Sequence, residues 1–178
     1  MSLDREASVQ IVTYDPGWPA LFAAEQALLI AVLRPWLTGP IEHVGSTAVR
    51  GLPAKPVIDI MAAVASLDTS REALAPLLQI GYQYAPYRSD VMHWFCKPAF
   101  SLRTHHLHLV PYRSRLWQER LRFRDCLRSS PSVAEEYAAL KYKLAALHHD
   151  DREAYTEAKG PFVTRVLQSQ AGGPASPP

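Results

Sequence analysis

Residues Val57 to Val64 read VIDIMAAV and carry a single charge, Asp59. A strand with one wet face alternates polar and apolar residues, whereas a short, nearly all-apolar run suits a strand covered on both faces. Such a strand demands a sheet with an interior, and the rest of the chain must supply the cover. With 178 residues, 48% of them AVILMFWYC and 20% charged, the chain can bury one real core without disulfide or metal staples. The same figures exclude disorder of the whole chain.

The flanking segments supply candidate neighbours. Val9–Tyr14 is predicted as a first strand, ended by the turn signal Asp15-Pro16-Gly17. Leu21–Leu33 has helical periodicity, and Gly39-Pro40 ends that region before a short strand, Ile41–Val44. A helix capped by Asp68 or Ser70 should reach Leu78, with Gly81 closing it. Tyr82–Tyr87, Met92–Lys97 and Leu102–Val110 then read as three antiparallel strands. Ser114–Arg128 is helical. A second helix starts at Ser130-Pro131, with Val133, Tyr137, Leu140, Leu144 and Leu147 as its apolar stripe. Asp150 with Glu153 resembles a capping box for a last helix that Gly160-Pro161 interrupts. The order predicts an α+β fold: a mixed β-sheet with helices on one side and a helical C-terminal part.

One domain is expected over residues 9–170, between disordered ends at 1–8 and 171–178, the latter reading AGGPASPP. Nineteen Lys and Arg against seventeen Asp and Glu leave a net charge of +2, too little to argue for nucleic-acid coating or membrane-surface binding. The longest apolar run, Ala27–Leu33, is far short of a membrane span. Two cysteines, Cys96 and Cys126, form no framework and are read as reduced thiols of a cytoplasmic protein.

Four constellations carry candidate chemistry. In His43-Val44-Gly45-Ser46-Thr47, a strand runs into a glycine turn with two hydroxyls, a geometry that offers backbone N–H groups to a phosphate; it also suits a plain tight turn with a helix cap. Asp59, thirteen residues after Ser46, is costly to bury unless it meets an arginine, backbone donors or a cation. In Arg103-Thr104-His105-His106-Leu107-His108, the alternation of a strand puts His106 and His108 on one face, where they could share a metal or a phosphate. Tyr155 and Lys159 share a helix face at i, i+4, and Lys55 stands at the mouth of the Asp59 strand. Lys159 also suits a helix-end charge answering the dipole. Gly-Ser followed about a dozen residues later by an acidic strand resembles the nucleotidyltransferases of the polymerase-β type. Those use two acids at alternate positions to hold Mg²⁺; here the alternate position is Met61.

Taken together, Tyr14-Asp15-Pro16-Gly17-Trp18-Pro19, Ile41 to Val49, Lys55 to Ile60, Arg103 to His108 and Tyr155 to Lys159 resemble the GrpB family over about residues 9–168. The resemblance implies a nucleotidyltransferase-like fold; the lack of a second acid at Met61 is itself typical of the family, and Arg50 stands where members commonly have Pro. Some members are fused to a dephospho-coenzyme A kinase domain. No Gly-x-x-x-x-Gly-Lys-Ser/Thr loop occurs here, so kinase chemistry is not expected. The expected function is binding of a nucleotide or phosphorylated small molecule, with transfer of a nucleotidyl or phosphoryl group helped by a divalent metal, Mg²⁺ or Mn²⁺ ahead of Zn²⁺. Asp59 and His106 would be catalytic. Asp59, His106 and His108 would hold the metal. Gly45, Ser46, Thr47, Lys55, Tyr155 and Lys159 would hold phosphate, so Ser46 and Lys159 should face one cleft. The alternatives are a non-catalytic module for a nucleotide or coenzyme A-like ligand and a metal-dependent phosphohydrolase.

Overall fold

A computed structural model of the chain describes residues 8–171. The ends expected to be disordered lie outside the described residues except at Ser8 and Ala171, and Ala171 is the last residue of a helix. Five strands form one mixed sheet: β1 (Leu37–Val44), β2 (Ile58–Val64), β3 (Gln83–Ala85), β4 (His93–Pro98) and β5 (Arg103–Pro111), in the spatial order β1-β2-β5-β4-β3. β2 runs parallel to β5 and antiparallel to β1, while β4 is antiparallel to both β3 and β5. Six α-helices accompany them: α1 (Trp18–Leu33), α2 (Leu74–Gln79), α3 (Arg115–Ser129), α4 (Pro131–Leu147), α5 (Arg152–Glu157) and α6 (Gly160–Ala171). Among the described residues no helix is long and apolar enough to cross a membrane.

The two-faced character of β2 sets the layers. Ile58, Ile60, Ala62 and Val64 join Leu29 and Leu33 of α1 and Leu77 of α2 in one core. Met61 and Ala63 join Trp94, Cys96 and Val110 in a second, closed by Trp117 of α3. Helices therefore cover both faces rather than the single face expected, because both faces of β2 are apolar. A third cluster ties Cys126 and Leu127 of α3 to Tyr137 of α4 and to Phe162 and Val166 of α6.

Several boundaries differ from expectation for local reasons. Val9–Tyr14 is no strand: only Val12 pairs, with Ala54, and Pro56 soon follows that partner. Gly39-Pro40 does not end a region but lies inside β1, where the register with β2 shifts between Leu37 and Ile41. A proline without an N–H is tolerated there because β1 is an edge strand. Pro86 confines β3 to three residues. Asp68 makes no side-chain cap, and a 3₁₀ turn, Thr69–Ala73, precedes α2. The cap of α5 is Asp151, whose side chain accepts from the Ala154 N–H at 2.9 Å, not Asp150. Gly160-Pro161 opens α6, and Ala158 and Lys159 separate it from α5. Leu147, placed on the buried stripe of α4, is 65% exposed.

One buried polar knot joins α1 to the sheet. The Lys97 ammonium donates to both carboxylate oxygens of Glu25 at 2.7 Å, and the Tyr82 hydroxyl donates to Glu25 at 2.9 Å. Breaking such a pair from one side strands a buried charge. Glu25→Leu should lower stability by about 3–5 kcal/mol in urea unfolding. Glu25→Leu combined with Lys97→Met and Tyr82→Phe should lose much less. Equal losses would mean that the knot is not energetically coupled.

Candidate functional site

The site starts where β1 ends. Val44 pairs with Asp59 across β1 and β2, and the next residue, Gly45, turns sharply with φ +72°. A Cβ on Gly45 would lie 2.4 Å from Asp59 Oδ2. Glycine is required here twice over, by the backbone conformation and by the close approach of the carboxylate. Ser46–Ala48 forms a 3₁₀ turn. The Thr47 hydroxyl donates to the Val57 carbonyl at 3.1 Å and lies 3.0 Å from His43 Nε2. Its proton is used inside the protein, so Thr47 fastens the turn to the start of β2 rather than adding the free donor expected of it.

Asp59 looks across the parallel pairing at His106, and Met61 at His108. His106 Nδ1 lies 2.9 Å from Asp59 Oδ1. One ligand-capable atom from each of Asp59, His106 and His108 lies within 4.8 Å of the other two. Burial opposes charge on Asp59, but the hydrogen bonds and charges of His106 and His108 outweigh it and hold the carboxyl well below its usual range. His108 is pushed down to about 3 by burial and by the nearby Arg120 charge. At neutral pH the group is therefore an ionised carboxylate beside a neutral His108. His106 Nε2 is buried with no hydrogen-bond partner.

A cavity of about 880 Å³ opens over this group. All nine expected site residues line it: Gly45, Ser46, Thr47, Lys55, Asp59, His106, His108, Tyr155 and Lys159. Lys55 and Lys159 both lie over the buried Tyr155 ring, at 4.9 and 4.3 Å from its centroid. Burial pushes the Tyr155 phenol up, so it stays a neutral hydroxyl. Burial and the Lys55 charge lower Lys159 to about 7.

Sequence reasoning missed several lining residues, notably Lys141, Arg88, Arg120 and Tyr137. Lys141 stands on the buried stripe of α4, one turn after Tyr137; it donates to the Pro53 carbonyl and is lowered to about 7 by burial and by Lys159. A lysine one turn from a stripe aromatic was the available signal. Ser46 lies beside the Tyr137 phenol, which burial pushes up. In total nine Lys and Arg side chains against three carboxylates line the cavity. Nearly half of the nineteen cations of an almost neutral chain thus converge on one cleft. A second cavity, about 1020 Å³, lies behind the Gly45–Ala48 turn and is lined by His43, Arg124 and Arg128 among others.

The sequence model of the family described as GrpB protein matches residues 8–169. The chain belongs to the GrpB family. A relative from Alkalihalophilus pseudofirmus, the glutamate-rich protein GrpB, is 34% identical over 168 residues, covering 92% of this chain and 96% of its own. The UPF0157 protein PA4798 of Pseudomonas aeruginosa is 41% identical over 164 residues, covering 89% of this chain but 66% of its own. The crystal structure of the conserved protein GrpB from Enterococcus faecalis superposes with a TM-score of 0.81 at 29% identity, over 90% of this chain and 96% of that one. The five-stranded mixed sheet with its helices is thus the architecture of a GrpB protein.

Two outcomes follow from the site. Gly45→Ala should destabilise the fold by at least about 1–3 kcal/mol through its backbone conformation. The loss should shrink in an Asp59→Gly background, where the carboxylate clash is gone; an unchanged loss would mean that Asp59 does not set the glycine requirement. Lys141 and Lys159, with an ordinary value of 10.5, are both lowered to about 7 in the fold. Between pH 7 and about 10 the unfolded chain therefore binds more protons at these two groups, and their contribution makes stability rise with pH. Lys159→Met should flatten that rise in thermal unfolding across the window. An unchanged slope would contradict the depressed lysine.

Proposed function

We propose that this GrpB-family protein binds a nucleotide or phosphorylated small molecule in the 880 Å³ cleft and transfers its nucleotidyl or phosphoryl group to an acceptor hydroxyl. The observation that carries the reading is a cleft lined by nine Lys and Arg against three carboxylates, one of them the ionised Asp59 flanked by two histidines. Gly45 and Ser46 offer backbone donors and a hydroxyl to phosphate oxygens, and Lys55 and Lys159 supply the charge that the turn lacks. Tyr155 orients both lysines through its ring.

Asp59, His106 and His108 fit a divalent cation: one carboxylate and two imidazoles converge, and a buried ring nitrogen of His106 is left without a partner. Of the two cations favoured by the sequence, Mn²⁺ suits this mixed donor set better than Mg²⁺, which prefers oxygen ligands. When bound, the cation would supply charge stabilisation at the phosphoryl oxygens. In the transfer, the acceptor oxygen forms a bond to phosphorus and the bond to the leaving phosphate oxygen breaks, its electron pair departing with that oxygen. His106, held by Asp59 through Nδ1, would keep its Nε2 for the cation, and the acceptor proton would leave to solvent. The two buried cysteines, which form no disulfide, fit work in the cytoplasm.

Met61 favours a second reading, a non-catalytic module for a nucleotide or coenzyme A-like ligand, since no second carboxylate joins Asp59 on β2. A thermal-shift panel of nucleotides with and without Mn²⁺, followed by assays for product, separates the two. A ligand at a hundred times its Kd adds about 2.7 kcal/mol of stability. Lys159→Ala should weaken the best ligand by about 1.5–3 kcal/mol in calorimetric titration. Equal affinities would remove Lys159 from the site, and binding without turnover would leave the module reading.

A further inference from the structure

We propose that Arg88 and Arg120 form a second oxyanion subsite in the same cleft, which holds a phosphate carried by the acceptor. The inference rests on the transfer reading above and adds the class of acceptor: a phosphorylated hydroxy compound.

Arg120 lies on the inward side of α3. Two other arginines of that helix are paired: Arg115 meets Glu119 at 2.7 Å, and Arg124 meets Glu42 and Asp125 at 2.7 Å each. The contact of Arg120 is different, with Nη2 3.9 Å from the Met92 thioether sulfur. A thioether is a weak acceptor and neutralises nothing, while guanidinium carries five donors in a fork that matches a phosphate. Among the described residues no carboxylate comes within ion-pairing distance of Arg120 or Arg88. Burial disfavours the Arg120 charge and the Arg88 charge adds to the strain, with Asp59 and Tyr87 only partly opposing. Both guanidinium-bearing residues line the same cleft, and the Arg88 charge acts on Arg120.

The backbone holds Arg88 there. Its φ is +47°, in the left-handed region that an arginine rarely adopts. The turn is closed by the Val91 and Met92 N–H groups, which both donate to the Arg88 carbonyl, at 3.0 and 3.2 Å. An uncommon conformation fixed by its surroundings and aimed at a cleft is the kind found at ligand clamps.

The sheet order separates this pair from the first anion site. The Gly45-Ser46 turn follows β1, Asp59 is on β2, His106 and His108 are on β5, and Met92 sits at the start of β4. Val44, Asp59, His106 and Cys96 form one row across the sheet, and Met92 precedes Cys96 by four residues, so the Ser46 turn and Met92 are offset by three strand spacings, about 14 Å, across the sheet and by a further offset along the strand. The charges that act on Lys159 are those of Lys55 and Asp59; those that act on Arg120 are those of Asp59 and Arg88. Asp59 alone is common to both sets. One phosphate cannot reach both ends, so the geometry suits two anions flanking the carboxylate.

Equilibrium dialysis of the metal-free protein against labelled inorganic phosphate tests this. The wild type should bind two phosphates per chain. Arg88→Ala, at an exposed position, and Arg120→Met, which keeps the packing against Met92, should each weaken one of them about tenfold or more and leave the other intact. Lys159→Ala should weaken the other. A single phosphate in the wild type, wild-type binding in Arg88→Ala, or arginine variants that weaken the same phosphate as Lys159→Ala would overturn the second subsite. Loss in Lys159→Ala without loss in the arginine variants would leave the proposed function standing. No loss in Lys159→Ala would count against that function instead. Should Arg120→Met fail to melt cooperatively, Arg88→Ala decides.

Discussion

A carboxylate in the middle of an apolar strand needs compensation on every side, and at Asp59 that compensation comes from three different elements. The turn after β1 must be glycine, since any Cβ would strike the carboxylate oxygen. The neighbouring strand β5 brings His106 to 2.9 Å and His108 beside it. From α3 comes the long-range charge of Arg120. Only a parallel β2–β5 pair in this register sets Asp59 against His106 and Met61 against His108. A one-residue slip would turn both histidines to the opposite face. The pairing that builds the core thus builds the site as well.

Much of this was legible in the chain because its signals are local. An eight-residue apolar run with one acid declares an interior strand and an anomaly in it. The alternation Thr104, His106, His108 declares one face. Lys159 and Tyr155 at i, i+4 declare a shared surface. The edge placement of β1 was not legible, because Gly39-Pro40 reads as punctuation until it is known that no strand pairs on its outer side. Nor was the arginine wall. Lys141 and Arg120 look like surface charges of two helices, and only the packing of α3 and α4 over the cleft turns them inward. Thr47 failed for a related reason: a hydroxyl in a glycine turn reads as a free donor until the Val57 carbonyl is found beneath it.

The cleft concentrates like charge at the expense of folding stability. Lys55, Lys141 and Lys159 crowd two buried tyrosines, and two of the three lysines are driven down to about 7. Cation–π contacts give each ammonium some compensation. Aromatic rings hold a cation in place yet leave it available to an anion, which a carboxylate partner would not. The Glu25–Lys97–Tyr82 knot shows the contrasting solution: there the charge is fully paired, and the group serves the fold alone.

Met61 changes the charge balance of the centre. With a second acid at that position the site would carry two negative charges at the end of β2 and attract a hard cation strongly. With Met61 buried in the α3-side core and His108 neutral, Asp59 is the single fixed negative charge at the centre. A divalent ion held by one carboxylate and neutral imidazoles keeps a net positive charge, and the surrounding lysines and arginines add to it. The cleft would then present a mainly positive potential to an anion, with nine Lys and Arg against Asp59, Glu119 and Glu153. Anions on both sides of Asp59 relieve repulsion among the cations as well as making hydrogen bonds, so filling one end lowers the field that the other end must tolerate. For a transfer between two anionic molecules, that field also offsets the mutual repulsion that would otherwise keep donor and acceptor apart.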